Sequence, residues 1–253
     1  MSRPSQWVTG YVLHARPYRE TSVILDLFTR DHGRVSAVFR GVKSSKGKTA
    51  RGRLLQPFQP LSLLWYGDRE LKTGKDFETD GPAFFLRGNL LYSALYINEL
   101  VQRLLYKEDP HPEIYDAYQH TLVQLQKLDP EDMASVEILL RHFEWQLLAG
   151  LGYEITLDRD SDYRPIDPDL NYRYDADAGF MAVPRKLDPA YQQSCFRGSE
   201  LMGIAAQQWQ QNGIKQAAKR LMRMALAPHL GEKPLKSREL FARHTAAAPD
   251  KSQ

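Results

Sequence analysis

The sequence predicts an α+β protein in which a small five-stranded barrel is followed by a mainly α-helical domain. Residues 1–80 contain five short runs of β-branched, aliphatic and aromatic residues separated by turn sequences. From residue 82 onward, apolar residues recur at every third or fourth position, which is the period of an amphipathic helix. Residues 156–195 are rich in aspartate and proline, and they predict an irregular module that contains a β-hairpin.

The predicted strands follow one another closely. A turn at Asp31-His32-Gly33 separates the second from the third, because glycine accepts positive φ angles, and Gly67-Asp68 separates the last two. Five short strands in a segment of this length favour a small barrel, of which the OB-fold is the usual five-stranded form. The strands are predicted at residues 7–15, 22–29, 34–39, 61–66 and 70–78.

The helices are predicted from apolar spacing and from their ends. Asp129-Pro130-Glu131 supplies an N-cap, a first-turn proline and an acidic first turn for the third helix. Ser237 is predicted to cap the last one. The helices are expected at 85–105, 112–127, 130–148, 199–211, 213–227 and from 237, and the hairpin at 171–174 and 179–183.

These elements predict an OB-fold nucleic-acid-binding domain at 1–80, a helical domain at 81–244 with its irregular module at 156–195, and a disordered tail at 245–253. The balance of 42% hydrophobic and 26% charged residues is that of a globular protein. The single cysteine, Cys195, excludes an intramolecular disulfide and any cysteine-rich metal site. No stretch resembles a signal peptide or a membrane span, so we expect a cytoplasmic protein without membrane contact.

Charge is distributed unevenly along the chain. The total of +3 divides into +6 for residues 1–80, −6 for residues 81–155 and +3 for residues 156–253. Such asymmetry indicates separate surfaces for separate partners.

A basic stretch between the third and fourth strands is the first candidate site. A loop of this kind on a small barrel is able to follow a nucleic-acid backbone, although it is also compatible with a solvated flexible loop. Four aromatic residues of the barrel are candidates for base stacking, or else for the core: Phe39, Phe58, Trp65 and Tyr66. The stretch contains no acid and seven basic residues, which are Arg34, Arg40, Lys43, Lys46, Lys48, Arg51 and Arg53.

Three motifs fail on spacing or residue type. Residues 41–49 place five residues between two glycines where a phosphate-binding P-loop has four. Residues 158–169 begin like a calcium loop, but Tyr163 and Asp169 occupy the positions of its glycine and its bidentate glutamate. No pair of the seven histidines has the spacing of a helical metal clamp. The sequence therefore predicts no catalytic residue, no metal and no cofactor.

Two further candidates lie in the helical part. Lys215, Lys219 and Arg223 form one helical stripe, which is equally consistent with a solvated face and with a second DNA surface. Arg141 lies among apolar residues, where it either pairs with Glu137 or Glu144 or receives the carboxylate of a peptide.

Several segments together resemble the RecO family of bacterial recombination and repair mediators. They are VLHARPYRETSVILDLFTRDHGRV (12–35), LQPFQPL (55–61), LLYSALYINEL (90–100), NYRYDADAGF (171–180) and LGEKPLKSRELF (230–241), the last being the most specific. The resemblance covers nearly all of the chain.

The resemblance implies an OB-fold followed by a helical domain and a non-enzymatic function. It implies binding of single- and double-stranded DNA, strand annealing, and loading of recombinase onto strands coated with single-strand-binding protein (SSB) in RecF-pathway repair. RecR and the acidic, apolar C-terminal tail of SSB are the implied protein partners, and Arg141 is the position carried over for that tail. Some family members hold zinc through four cysteines after the third helix, whereas residues 157–169 contain no cysteine here.

Two other functions remain open from the residues themselves. An RNA-binding OB-fold protein would carry the same basic loop. An adaptor that contacts only proteins would bind no polynucleotide at low salt.

Overall fold

The structure is a computed structural model, and it describes residues 6–42, 51–184 and 193–247, with the side chains of Arg51, Asn212 and 242–247 excepted. The chain forms two compact units. The first comprises residues 1–130 and 235–253, and the second residues 131–234. Within the described ranges, no helix combines the length and the apolar character needed to cross a membrane.

The first unit begins with five strands that close into a barrel, as the sequence predicts. The strand order β1-β2-β3-β5-β4 returns to β1, and β3 and β5 form its one parallel pair, which gives the mixed barrel of an OB-fold. The strands are Val8–Tyr18 (β1), Ser22–Thr29 (β2), Gly33–Phe39 (β3), Pro60–Tyr66 (β4) and Leu71–Thr79 (β5), with a 3-10 helix at Arg51–Leu54 before β4.

The barrel interior explains why these segments form strands. Alternate aliphatic residues of β2 and β4 point inward and pack with two aromatic rings, Phe39 of β3 and Phe77 of β5, whose centroids are 5.6 Å apart. Phe39 and Phe58, two of the predicted stacking candidates, are therefore buried, whereas Trp65 is half-buried and Tyr66 is 51% exposed. Of the four aromatic candidates, Tyr66 offers a ring to solvent most fully.

Two helices of the same unit, Gly88–Leu104 (α1) and Pro112–Leu125 (α2), cover the outer face of β1 and β2. Tyr11 of β1 and Phe28 of β2 pack against Tyr118 of α2, with ring centroids 5.3 and 5.6 Å away. The Tyr118 hydroxyl donates to Asn98 of α1 at 2.6 Å. β2 is thus buried on both faces, in agreement with its sequence, in which Asp26 is the one charged residue.

The last helix, Lys236–Ala247 (α6), also belongs to the first unit and packs on α1. The carboxylate of Glu99 on α1 accepts hydrogen bonds from the backbone N–H groups of Lys236 and Ser237, at 3.0 and 2.9 Å, and from the Ser237 hydroxyl at 2.7 Å. The cap therefore comes from a distant carboxylate, while the Ser237 side chain acts as a donor. The helix continues to Ala247, and the rest of the predicted tail lies outside the described residues.

The second unit is mainly helical, with a small antiparallel sheet in the order β7-β6-β8. The predicted hairpin is confirmed, and a third short strand joins it. Asp132 caps the first helix, since its side chain accepts from the Ser135 N–H at 3.1 Å, so the cap lies three residues beyond the predicted Asp129. The elements are Met133–Gly150 (α3), Asn171–Asp175 (β6), Gly179–Val183 (β7), Cys195–Arg197 (β8), Gly198–Ala205 (α4) and Asn212–Leu230 (α5).

The second unit packs around α3 and α5. His142 of α3 contacts the fully buried Trp209, with ring centroids 4.2 Å apart. The α+β fold class predicted from the sequence is confirmed. The compact units divide at residues 130 and 235, so residue 80 lies inside the first unit. The predicted domain boundary at that residue stays a prediction.

Candidate nucleic-acid interface

The predicted basic stretch is only partly described by the structure. Lys43, Lys46 and Lys48 fall in residues 43–50, outside the described ranges, as does the side chain of Arg51. Their predicted role stays a prediction. The described members are Arg34, Arg40 and Arg53.

Arg34 lies at the far end of β3 from Arg40. Antiparallel pairing puts Arg34 opposite Phe28 and puts Phe39, which precedes Arg40, opposite Val23. The two arginines are six positions apart along the strand, a distance of about 20 Å at the usual strand rise. The structure therefore does not bring Arg34 together with the rest of the stretch.

The Arg34 guanidinium has a structural partner. It is half-buried, and its Nη1 donates to the carbonyl of Leu105, just after α1, at 2.7 Å. Burial lowers the pKa of Arg34 below its ordinary value, although the nearby charge of Asp26 acts in the opposite direction. This arginine joins the barrel to the segment after α1, which leaves Arg40 and Arg53 as the described, exposed part of the predicted site.

Two arginines that the sequence analysis did not select lie at the same end of the barrel. The register pairs Tyr18 with Ser22, Pro17 with Val23, and Val23 in turn with Phe39, so the β1–β2 hairpin tip is beside the end of β3. That tip carries Arg16 and Arg19, both exposed. Together with the exposed Arg40 and Arg53, they form what we call the basic rim.

The hairpin tip has a defined conformation. Arg19 adopts a left-handed backbone with φ of 54°, which is uncommon for a residue with a side chain. Its guanidinium lies 5.2 Å from the centroid of the Tyr18 ring, within the range of a cation–π contact. In the sequence this feature is an Arg-Pro-Tyr-Arg run at the end of β1, but only the strand register shows which loop it adjoins.

The basic rim adjoins an apolar depression of about 470 Å³. Its walls include Pro17, Val23, Val42 and Leu55, and both Arg16 and Arg53 line it. The rim is on the part of the barrel that α1 and α2 leave open, because those helices pack on Tyr11 and Phe28 of the β1–β2 outer face. Clustered arginines on an open surface attract polyanions.

In the second unit, two of the three stripe residues are paired. Lys215 and Lys219 both form ion pairs with Glu137 of α3, the first at 3.7 Å, and Lys219 also donates a hydrogen bond to it. Burial tends to raise the pKa of Glu137, but the hydrogen bond and the positive charges of Lys219, Lys215 and Arg141 outweigh it and lower that pKa. Arg223 is exposed. The stripe thus presents less open charge than its sequence suggests.

Arg141 is buried, with 6% of its surface exposed. Its Nη2 donates to Glu144, one turn along α3, whose side chain is 1% exposed. Of the two partners considered in the sequence, the structure selects Glu144. The buried Nε of Arg141 has no hydrogen-bond partner among the described residues, so this guanidinium keeps one donor for another acceptor.

The cysteine-free segment after α3 is held by hydrogen bonds. The Asp160 carboxylate accepts from the backbone N–H groups of Asp162 and Arg164, both at 2.9 Å, and the Asp160 N–H donates to the Arg164 carbonyl. The Ile166 N–H donates to the Asp158 carbonyl at 3.0 Å. In the described part of the chain, no group of three or more His, Cys, Asp or Glu side chains is arranged to hold a metal ion.

Comparison with known proteins identifies the family. The model described as "Recombination protein O N terminal" matches residues 1–81, and "Recombination protein O C terminal" matches residues 87–239. The DNA repair protein RecO of Pseudomonas aeruginosa is 48% identical over 231 residues, covering 91% of this chain and 92% of the relative. The same-named proteins of Stutzerimonas stutzeri and Cellvibrio japonicus are 46% and 43% identical, each over 92% of this chain and over 92% and 94% of the relative. The chain therefore belongs to the RecO family of DNA repair and recombination proteins, which are mediators rather than enzymes.

Proposed function

We propose that the protein binds single- and double-stranded DNA through the basic rim and anneals complementary strands. The observation that carries this proposal is the convergence of Arg16, Arg19, Arg40 and Arg53, all exposed, at one end of the barrel. Guanidinium groups bind phosphate oxygens well and carry no sequence preference when they contact only the backbone. A strand held in this way keeps its bases free to pair while part of its charge is neutralised, which favours annealing.

The full proposal is a mediator that acts in the bacterial cytoplasm, at the nucleoid. The protein would bind RecR and the SSB tail, and would help recombinase to load onto SSB-coated strands in RecF-pathway repair. Membership of the RecO family supports these partners.

A salt titration of single-stranded DNA binding tests the site. Each phosphate contact on a single strand contributes about 0.7 to the slope of log K against log salt. The variant Arg16→Ala/Arg40→Ala/Arg53→Ala should therefore flatten the slope by about 2. Arg30→Ala is the control, because Arg30 is also an exposed arginine of the first unit but is paired with Asp116 at 2.9 Å. If the triple variant has the same salt slope as the unaltered protein, the basic rim is not the DNA site.

The three lysines of the basic stretch that lie outside the described residues are tested with a separate variant. Lys43→Ala/Lys46→Ala/Lys48→Ala should flatten the slope further if the loop follows the strand. The same titration with RNA of equal sequence separates the RNA-binding alternative, which predicts tighter binding to RNA. Absence of binding to either polymer at low salt would support the adaptor instead.

We also propose Arg141 as the group that binds the C-terminal carboxylate of the SSB tail. Its free Nε donor and its apolar surroundings support this role, while Glu144 is the internal acceptor with which that carboxylate competes. Arg141→Lys keeps the charge but loses the fork of donors, so tail-peptide affinity should fall while DNA affinity is unchanged. Arg223→Ala, an exposed position on α5, is the control and should bind the peptide normally. Equal peptide affinity in all three proteins would exclude Arg141.

A further inference from the structure

The depression beside the basic rim combines an apolar lining with two guanidinium groups. Its apolar surface comes from β1, β2 and the two ends of the β3–β4 connection, at Val42 and Leu55. Those two ends approach each other closely, because a Cβ on Gly52 would lie 2.2 Å from the Val42 carbonyl oxygen. Glycine at position 52 thus allows this close approach between two parts of the depression's lining.

The charge and apolar character of the lining are complementary to a ligand that has both an anionic and an apolar group. Val23, Val42 and Leu55 offer no charge to a ligand, whereas Arg16 and Arg53 on the same depression offer two guanidinium groups. A volume of about 470 Å³ is within the range of about 300–1,000 Å³ that small-molecule sites occupy, so one nucleotide fits. A nucleobase is apolar on its faces, and the phosphates that flank it are anionic.

We propose that this depression receives one unstacked base of single-stranded DNA, while Arg16 and Arg53 bind the phosphates next to it. The proposal rests on the proposed DNA-binding function and adds to it a preference for single strands. A base in a duplex is paired at its edge and stacked on both faces, so it enters such a site only after it is unpaired. The remaining bases of a bound single strand stay outside and available for pairing.

Two probes separate base contacts from phosphate contacts in the unaltered protein. One is a short oligothymidylate, and the other is a strand of equal length built only from abasic sugar-phosphate units. Because base contacts of this kind change affinity by about tenfold per base, the abasic strand should bind about tenfold more weakly, with the same salt slope. Equal affinity for the two strands would overturn the proposal.

A filling substitution locates the base contact. Val42→Phe should place a ring in the depression and weaken oligothymidylate binding about tenfold, without changing the binding of the abasic strand or of a duplex. Leu54→Phe is the matched control, because Leu54 is also a partly buried residue packed against the barrel core but does not line the depression. A folded Val42→Phe protein that binds oligothymidylate normally would overturn the proposal. If Val42→Phe does not fold, the two probes on the unaltered protein decide.

The proposed DNA site and the proposed base site are contradicted by different results. If Arg16→Ala and Arg53→Ala leave the salt slope unchanged, the proposed DNA site itself is wrong. If they flatten the slope while the abasic strand binds as well as oligothymidylate, the rim binds phosphates and the base site alone is wrong.

Discussion

The substitution Glu99→Gln tests the contact that attaches the last helix to the first unit. Glu99 caps α6 with three hydrogen bonds, from the backbone of Lys236 and from the backbone and hydroxyl of Ser237. Arg103, one turn away on α1, also donates to it at 2.8 Å. Glutamine keeps the size of the side chain, but it removes the charge and replaces one acceptor oxygen by an NH₂ donor.

The expected loss follows from the burial of this carboxylate. Hydrogen bonds to a charged group contribute about 1.5–3 kcal/mol, and an anion at a helix N-terminus contributes about 0.3–1 kcal/mol. The side chain of Glu99 is only 13% exposed, so solvent screens it little. We expect a loss of about 2 kcal/mol, which corresponds to a roughly 30-fold increase in the opening of α6.

Amide hydrogen exchange measures that opening directly. Exchange should accelerate across residues 236–247 in the variant, while the barrel strands exchange as before. Ser237→Ala, which removes only the hydroxyl, should give a smaller acceleration. Unchanged exchange of α6 in Glu99→Gln would refute the assignment of the cap to this carboxylate.

The pH dependence has a definite sign. Burial alone would raise the pKa of Glu99, but the hydrogen bonds from Ser237 and Lys236 and the charge of Arg103 lower it below its ordinary value. A carboxyl with a lowered folded-state pKa stabilises the fold above its unfolded pKa, and that stability is lost as the pH falls through the folded pKa. Protection of α6, corrected for intrinsic exchange, should therefore fall below about pH 4.3 in the unaltered protein and show no such step in the variant.

Two further predictions concern the packing of each unit. Tyr118→Phe should destabilise the first unit to urea by about 1–2 kcal/mol, because it leaves the buried Asn98 carbonyl oxygen without this donor. Tyr115→Phe, in the same helix, should cost little, because the Tyr115 hydroxyl is buried without a hydrogen-bond partner among the described residues; equal losses in the two variants would contradict this account. In the second unit, the pKa of Glu137 is lowered, so the ionised carboxylate stabilises the contact between α3 and α5 at pH values above the ordinary glutamate pKa. This stability should be lost as the pH falls through the folded-state pKa. Urea unfolding of Glu137→Gln or Lys219→Met across an acid pH series should show a weaker dependence, and an unaltered dependence would show that this ion pair is not its source.

The sequence predicted the fold well because periodicity reports burial. β2 shows this, since its dense run of β-branched and aliphatic residues predicted a strand without showing what covers its outer face. The cover is a set of tyrosine and phenylalanine contacts with α2, which depend on residues about ninety positions away. Helix ends were less predictable, because Glu99 caps a helix that begins 137 residues later.

The candidate site was harder to predict for a related reason. Basic residues close in sequence were grouped together, but an extended strand carries Arg34 to the opposite end of the barrel from Arg40. Arg16 and Arg19 were overlooked because they are distant in sequence and join the site only through strand pairing. Local composition showed that a basic surface exists, whereas the register determines its members.

The position of α6 in the chain has a consequence for biosynthesis. The chain leaves the first unit after Pro130 and returns to it at Leu235, so the ribosome synthesises the whole second unit before the helix that completes the first. At about 5–20 residues per second, the interval is roughly 5–20 s. During that time α1 is without the helix that later contributes the Tyr92–Phe241 ring contact, and Glu99 is without the helix that it caps. A chain terminated before Leu235 lacks α6, so the face of α1 on which that helix packs stays exposed to solvent.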